Sequence, residues 1–93
     1  MTVSIRIPTP LRPYTDGESA VTVQGNTVGD ALASLTTVHA GLSKHLRNDK
    51  GELRSFVNVY LSGEDIRFLD GEATPLTEGA VLTIVPSIAG GSR

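Results

Sequence analysis

Ninety-three residues suffice for one modest hydrophobic core and leave no room for the deep cleft of a two-domain enzyme, so independent catalysis is disfavoured. Hydrophobic residues make up 39% and charged residues 19%, too apolar a mixture for a disordered chain, and the absence of cysteine excludes a disulfide framework, a thiolate metal site and a cysteine nucleophile. Eight basic against ten acidic residues give a net charge of −2, which argues against nucleic acid as the main partner.

Val3, Ile5 and Ile7 share one parity and Thr2, Ser4 and Arg6 the other, the period of a strand with one buried face. Pro8 and Pro10 end it. After a turn at Thr15-Asp16-Gly17-Glu18, Val21 and Val23 repeat the alternation and Gly25-Asn26 closes it, which predicts a long-looped hairpin. At Thr27 the period changes: Val28, Ala31, Leu32, Leu35 and Val38 fall three and four apart, an amphipathic helix from Thr27 to Ala40 with Asn26 or Thr27 as its cap, Asp30 at its positive end and Gly41 as its stop. Leu42 to Arg54 is polar and reads as a helical turn followed by an exposed loop. A third strand covers Ser55 to Leu61, with Val57, Val59 and Leu61 alternating against Phe56, Asn58 and Tyr60. Ser62-Gly63-Glu64-Asp65 turns the chain, Ile66 and Phe68 supply a short strand, and Asp70-Gly71 turns it again. Pro75 to Gly79 feeds Ala80 to Val85, the most concentrated apolar strand in the sequence, expected in the middle of the sheet. A helix between two hairpin-like pairs makes the first and last strands parallel neighbours.

Beyond Pro86 the chain ends Ser87-Ile88-Ala89-Gly90-Gly91-Ser92-Arg93. Two glycines have nothing to pack in a core, but their bare backbone threads a narrow channel that any Cβ would block. The β-β-α-β-β-β order resembles the β-grasp, or ubiquitin-like, fold. The ending, with Pro75, Leu76, Gly79, Val81, Thr83, Pro86, Gly90 and Gly91 in place and Ala80 where an acidic residue is frequent, resembles the ThiS/MoaD family of sulfur carriers. Ile7-Pro8-Thr9, Leu11-Arg12-Pro13, Arg54 to Tyr60 and Asp65 to Phe68 extend that resemblance over the whole chain, toward the branch that feeds cysteine synthesis. It implies an α+β protein in two parts: a β-grasp domain over 1–86, with one main helix on one face of a mixed four- to five-stranded sheet, and a flexible tail over 87–93.

The resemblance also implies the chemistry. A ubiquitin-activating-like enzyme, using ATP and magnesium, would adenylate and then sulfurate Gly91, with Gly90 giving clearance. The resulting thiocarboxylate would pass sulfur to a pyridoxal-phosphate (PLP)-dependent cysteine synthase, and a zinc metalloprotease would release the product. The carrier itself would neither catalyse nor hold a cofactor or metal. Supply to molybdopterin, thiamin thiazole or a secondary metabolite shares the same tail chemistry. A ubiquitin-like protein modifier and a pure interaction domain are the alternatives. Most family members end at the second glycine, and an internal glycine carbonyl cannot be adenylated. Ser92-Arg93 is therefore a segment that a protease removes, a remnant of expression, or the mark of a retired carrier.

A β-grasp sheet leaves one face open, and apolar side chains there would form a docking patch. Val57, Val59, Val81 and Val85 are expected in or near the core, the exposed parity staying undecided. Phe56, Tyr60, Pro86 and Ile88 are the docking candidates, since a few aromatic anchors tend to dominate interfaces. His39 and His45 lack a helical spacing and read as polar surface, not metal ligands. Lys44, Arg47, Lys50 and Arg54 read as a solvated loop, or else as contacts to an acidic patch or a nucleotide phosphate. With no signal-peptide pattern and no long apolar run, the expected location is the cytoplasm and no membrane partner is foreseen.

Overall fold

A computed structural model describes residues 1–86; the expectations placed on Ile88, Gly90, Gly91, Ser92 and Arg93 lie outside the described residues. Strand β1 (Thr2–Arg6) buries Val3 and Ile5, with Ile7 just beyond, and β2 (Ala20–Gln24) buries Val21 and Val23. They pair antiparallel from Thr2 opposite Gln24 to Arg6 opposite Ala20, which puts all these side chains on one face. Their connection is a 3-10 segment, Thr9–Thr15, where an open loop was expected. Proline in its first turn suits a helix start, Leu11 is buried, and the fully buried Thr15 directs its hydroxyl to the carbonyls of Arg12 and Glu18 (3.2 and 2.9 Å). Asp16 and Gly17, both at positive φ (57° and 83°), then make the expected turn.

Helix α1 (Val28–Val38) begins where Thr27 Oγ1 accepts a hydrogen bond from the Asp30 amide at 3.2 Å. Val28, Ala31, Leu32 and Leu35 are buried against the sheet. Gly25 permits the close approach of β2 to the helix: a Cβ there would stand 2.6 Å from the Ala31 amide nitrogen. Val38, expected in the apolar stripe, is 68% exposed. The helix stops at Val38, a 3-10 turn (Ala40–Leu42) redirects the chain, and α2 (Ser43–Leu46) follows, so Leu42 and Leu46 take up the core positions instead.

Strand β3 (Val57–Leu61) and the two-residue β4 (Glu64–Asp65) join through Ser62 and Gly63, both at positive φ (52° and 89°), the conformation of a tight hairpin turn. The short strand expected at Ile66 and Phe68 is a 3-10 turn, Ile66–Phe68. Asp65 Oδ1 accepts from the Arg67 amide at 2.9 Å and bends the chain out of the sheet, burying Ile66 and leaving Phe68 82% exposed. Thr74 and Asn26 then tie the next segment to the start of α1 through Val28 N–H to Thr74 O and Leu76 N–H to Asn26 O (3.0 and 2.8 Å).

Strand β5 (Ala80–Pro86) is central in the order β2-β1-β5-β3-β4, parallel to β1 and antiparallel to β3. Its Leu82 and Ile84 are buried under the helices, each burial contributing about 2 kcal/mol. The result is a five-stranded mixed sheet covered on one face and open on the other, the β-grasp arrangement. Among the described residues no helix is long and apolar enough to cross a membrane.

Candidate docking site

The open face is built by alternation. Opposite the buried parity, β5 presents Val81, Thr83 and Val85, β1 presents Ser4 and Arg6, and β3 presents Asn58 and Tyr60. Register aligns them: Ser4 beside Val81, Arg6 beside Thr83, Tyr60 beside Thr83, and Asn58 beside Val85. Val81 and Val85 are 38% and 41% exposed, whereas Val57 and Val59 are buried. The core expectation thus holds for the β3 pair and is corrected for the β5 pair. The physical reason is parity: Leu82 and Ile84 face the helices, so their strand neighbours cannot.

The docking candidates fall in different places. Tyr60 lies on the open face, half-buried between Thr83 and Asp65. Phe56 is exposed just before β3. Pro86 shares the parity of Leu82 and Ile84 and pairs with Val57, at the end of the sheet and not on its open face. Its missing N–H costs no ladder bond. Ser62 N–H donates to Val81 O, so the odd residues of β5 bond toward β3, and Pro86 faces the β1 side where that strand has already ended. Ile88, Gly90 and Gly91 lie outside the described residues.

Arg67 borders this face, and the sequence reading did not single it out. Its Nε and Nη2 grip the Asp65 carboxylate (Nη2 to Oδ2 2.8 Å), and Nη2 also donates to Asn58 Oδ1. Side-chain and then backbone hydrogen bonds from Arg67 hold the Asp65 carboxyl below the usual carboxylate range, against the opposing effect of desolvation. The same carboxylate raises Arg67.

The cationic stretch is only partly a solvated loop. Arg47 forks onto Glu72 (2.6 and 3.1 Å) and donates to Gly51 O, while Arg54 Nε donates to Lys44 O at 2.9 Å, so two of the four cations fasten the loop down. His45 is half-buried, not plain surface. Its ring stacks 4.3 Å from that of Tyr14, and its Nε2 is buried with no hydrogen-bond partner. Among the described residues no group of His, Asp or Glu side chains could hold a metal ion.

Comparison with known proteins adds four findings. A family model, the ThiS family, matches residues 5–91. The chain is 41% identical over 93 residues to the sulfur carrier protein CysO of Mycobacterium tuberculosis, covering 98% of this chain and all (100%) of that protein. It is 43% identical over 65 residues to small archaeal modifier protein 3 of Haloferax volcanii, covering 70% of each chain. Among solved structures, the BexX/CysO complex of Amycolatopsis orientalis matches with a TM-score of 0.86 at 39% identity, over 96% of this chain and 99% of that one.

Proposed function

We infer that this chain, which belongs to the ThiS family and is by that kinship a carrier and not an enzyme, transports sulfur as a thiocarboxylate on Gly91. The observation that carries the reading is the Gly90-Gly91 pair, placed shortly after the central strand of a β-grasp sheet, in a chain alike over its whole length to a protein named as a sulfur carrier. A carboxylate is a poor electrophile, so activation comes first. The Gly91 carboxylate attacks the α-phosphate of ATP on a magnesium-dependent activating partner and releases diphosphate. A sulfur nucleophile then displaces AMP, and the carbonyl keeps one oxygen and gains one sulfur. The five residues after Pro86 reach at most about 18 Å when extended, so docking and chemistry stay separate: the sheet binds and the tail reacts.

In this reading the open-face patch of Val81, Val85 and Tyr60, with Phe56 at its margin, receives the activating enzyme, and Pro86 marks where the domain over 1–86 gives way to the tail. Gly90 supplies clearance in the partner's channel. Ser92-Arg93 must first leave by hydrolysis of the Gly91–Ser92 bond, work suited to a zinc metalloprotease. The acceptor is a PLP-dependent cysteine synthase, in keeping with CysO kinship, and the cytoplasm is where these partners would meet it. That a related CysO crystallises with BexX supports a carrier that works by docking.

Intact mass spectrometry of the protein from its host tests this. The expected result is a species ending at Gly91 that has exchanged one oxygen for one sulfur when activating enzyme, ATP and a sulfide source are present. Retention of Ser92-Arg93 under every condition, with no thiocarboxylate, overturns it. The likeness to a small archaeal modifier favours a second reading, in which the same activated glycine is joined to lysines of other proteins. Isopeptide conjugates that disappear when Gly91 is deleted distinguish it.

A further inference from the structure

At its β1 side the open face runs into a groove of about 480 Å³, beside the last residues of β5. Among the described residues that line it, the charged ones are Arg6 and Arg12, and none carries a carboxylate. In a chain of net charge −2 this is a local reversal of sign. Arg12 is already oriented: its Nε donates to the Ile7 carbonyl at 3.2 Å, which sets the guanidinium plane and leaves the terminal nitrogens as donors. The ion pairs among the described residues, Arg47–Glu72 and Arg67–Asp65, involve neither arginine. Ser19 and Thr83 add hydroxyls, while Pro8, Val85 and Pro86 give the groove apolar walls.

Two guanidinium groups above apolar walls suit a side chain with an aliphatic stem and a carboxylate head. We propose that this groove receives a glutamate carboxylate from the activating enzyme, and that the pairing fixes where the tail enters the partner. The proposal rests on the docking reading above. A protein carboxylate fits better than a free phosphate, because the groove is continuous with exposed Val85 and half-buried Thr83 on the open face. A partner lying on that face reaches the arginines directly. Charge-assisted pairing of this kind sets register and association rate as well as affinity.

The test measures the affinity of the chain ending at Gly91 for the activating enzyme as a function of salt, by calorimetry, for wild type, Arg6→Glu, Arg12→Glu and Arg12→Lys. Each charge reversal is expected to weaken binding about tenfold or more and to flatten the salt dependence, with Arg12→Lys in between. A Glu→Arg change in the partner's docking segment should restore binding to Arg6→Glu, whose exposed strand position leaves the core untouched. Affinities within about twofold of wild type with an unchanged salt slope overturn the proposal. So does saturable perturbation of the Arg6 and Arg12 side-chain signals by Mg-ATP or inorganic diphosphate in the isolated chain, which would assign the groove to a phosphate. Thiocarboxylate formation by wild type is read in parallel: its failure overturns the carrier reading, whereas its success with unchanged arginine variants overturns the groove alone.

Discussion

Asp65 is nearly buried, yet its ionised form is favoured, because Arg67 supplies both a side-chain fork and a backbone amide. Glu78 is lowered too, chiefly by the Thr2 N–H that its Oε1 accepts at 3.0 Å. A carboxyl whose folded pKa lies below its unfolded value contributes stability above the unfolded pKa and loses it as pH falls through the folded one. Both groups therefore stabilise the fold at neutral pH, and stability should decline on acidification below about pH 4. The melting temperature followed from neutral to acidic pH is expected to fall less steeply in an Asp65→Asn, Glu78→Gln double variant; parallel curves would refute the assignment. His45 offers a second check at this scale. Replacing it with phenylalanine keeps the stack on Tyr14 and removes a buried nitrogen without a partner, so stability should hold or rise by about 1 kcal/mol in denaturant titration. Neither environment was readable beforehand, since an Asp two residues before an Arg, or a lone His in a polar stretch, does not say which atoms the fold will enclose.

The helix and the hairpin were readable as elements because each carries a period and a punctuation mark. Of the two candidate caps, Asn26 and Thr27, it is Thr27 that caps α1, and Thr27→Ala should cost about 1 kcal/mol in thermal or denaturant unfolding. Gly25→Ala should cost more, about 1–3 kcal/mol, because the new methyl meets helix backbone that cannot rotate away. The 3-10 segments were missed for a physical reason. Three residues per turn over a short run leave no apolar stripe to detect, so Leu11 among prolines looked like loop. Ile66 and Phe68, two apart, looked like a strand until the Asp65 side chain diverted the chain into a turn.

At the scale of the molecule, β5 lies in the middle of the sheet and has two unlike faces. Leu82→Ala should destabilise the domain by about 2–5 kcal/mol, while Val81→Asp and Val85→Asp, on the same strand, should cost about 1 kcal/mol each through lost strand propensity. For binding the order reverses: the valine variants should weaken association with the activating enzyme about tenfold or more. Unfolding midpoints and affinities on one panel of proteins check both halves. Valine variants that unfold as readily as Leu82→Ala would place the open face in the core and refute the docking surface.

The sequence by itself determined the first, second, third and last strands, the capped helix, the parallel pairing of first and last strands, and the place of the diglycine after the last strand, because periodicity, turn residues and connection rules can be read along the chain. Only the tertiary structure decided which parity of the last strand stays open, since Val81 and Val85 are as apolar as Leu82 and Ile84, and Thr83 alone is a weak cue. It also decided that Arg6 and Arg12 line one groove with the end of β5, more than seventy positions later in the chain, a meeting that comes from the parallel pairing of β1 with β5.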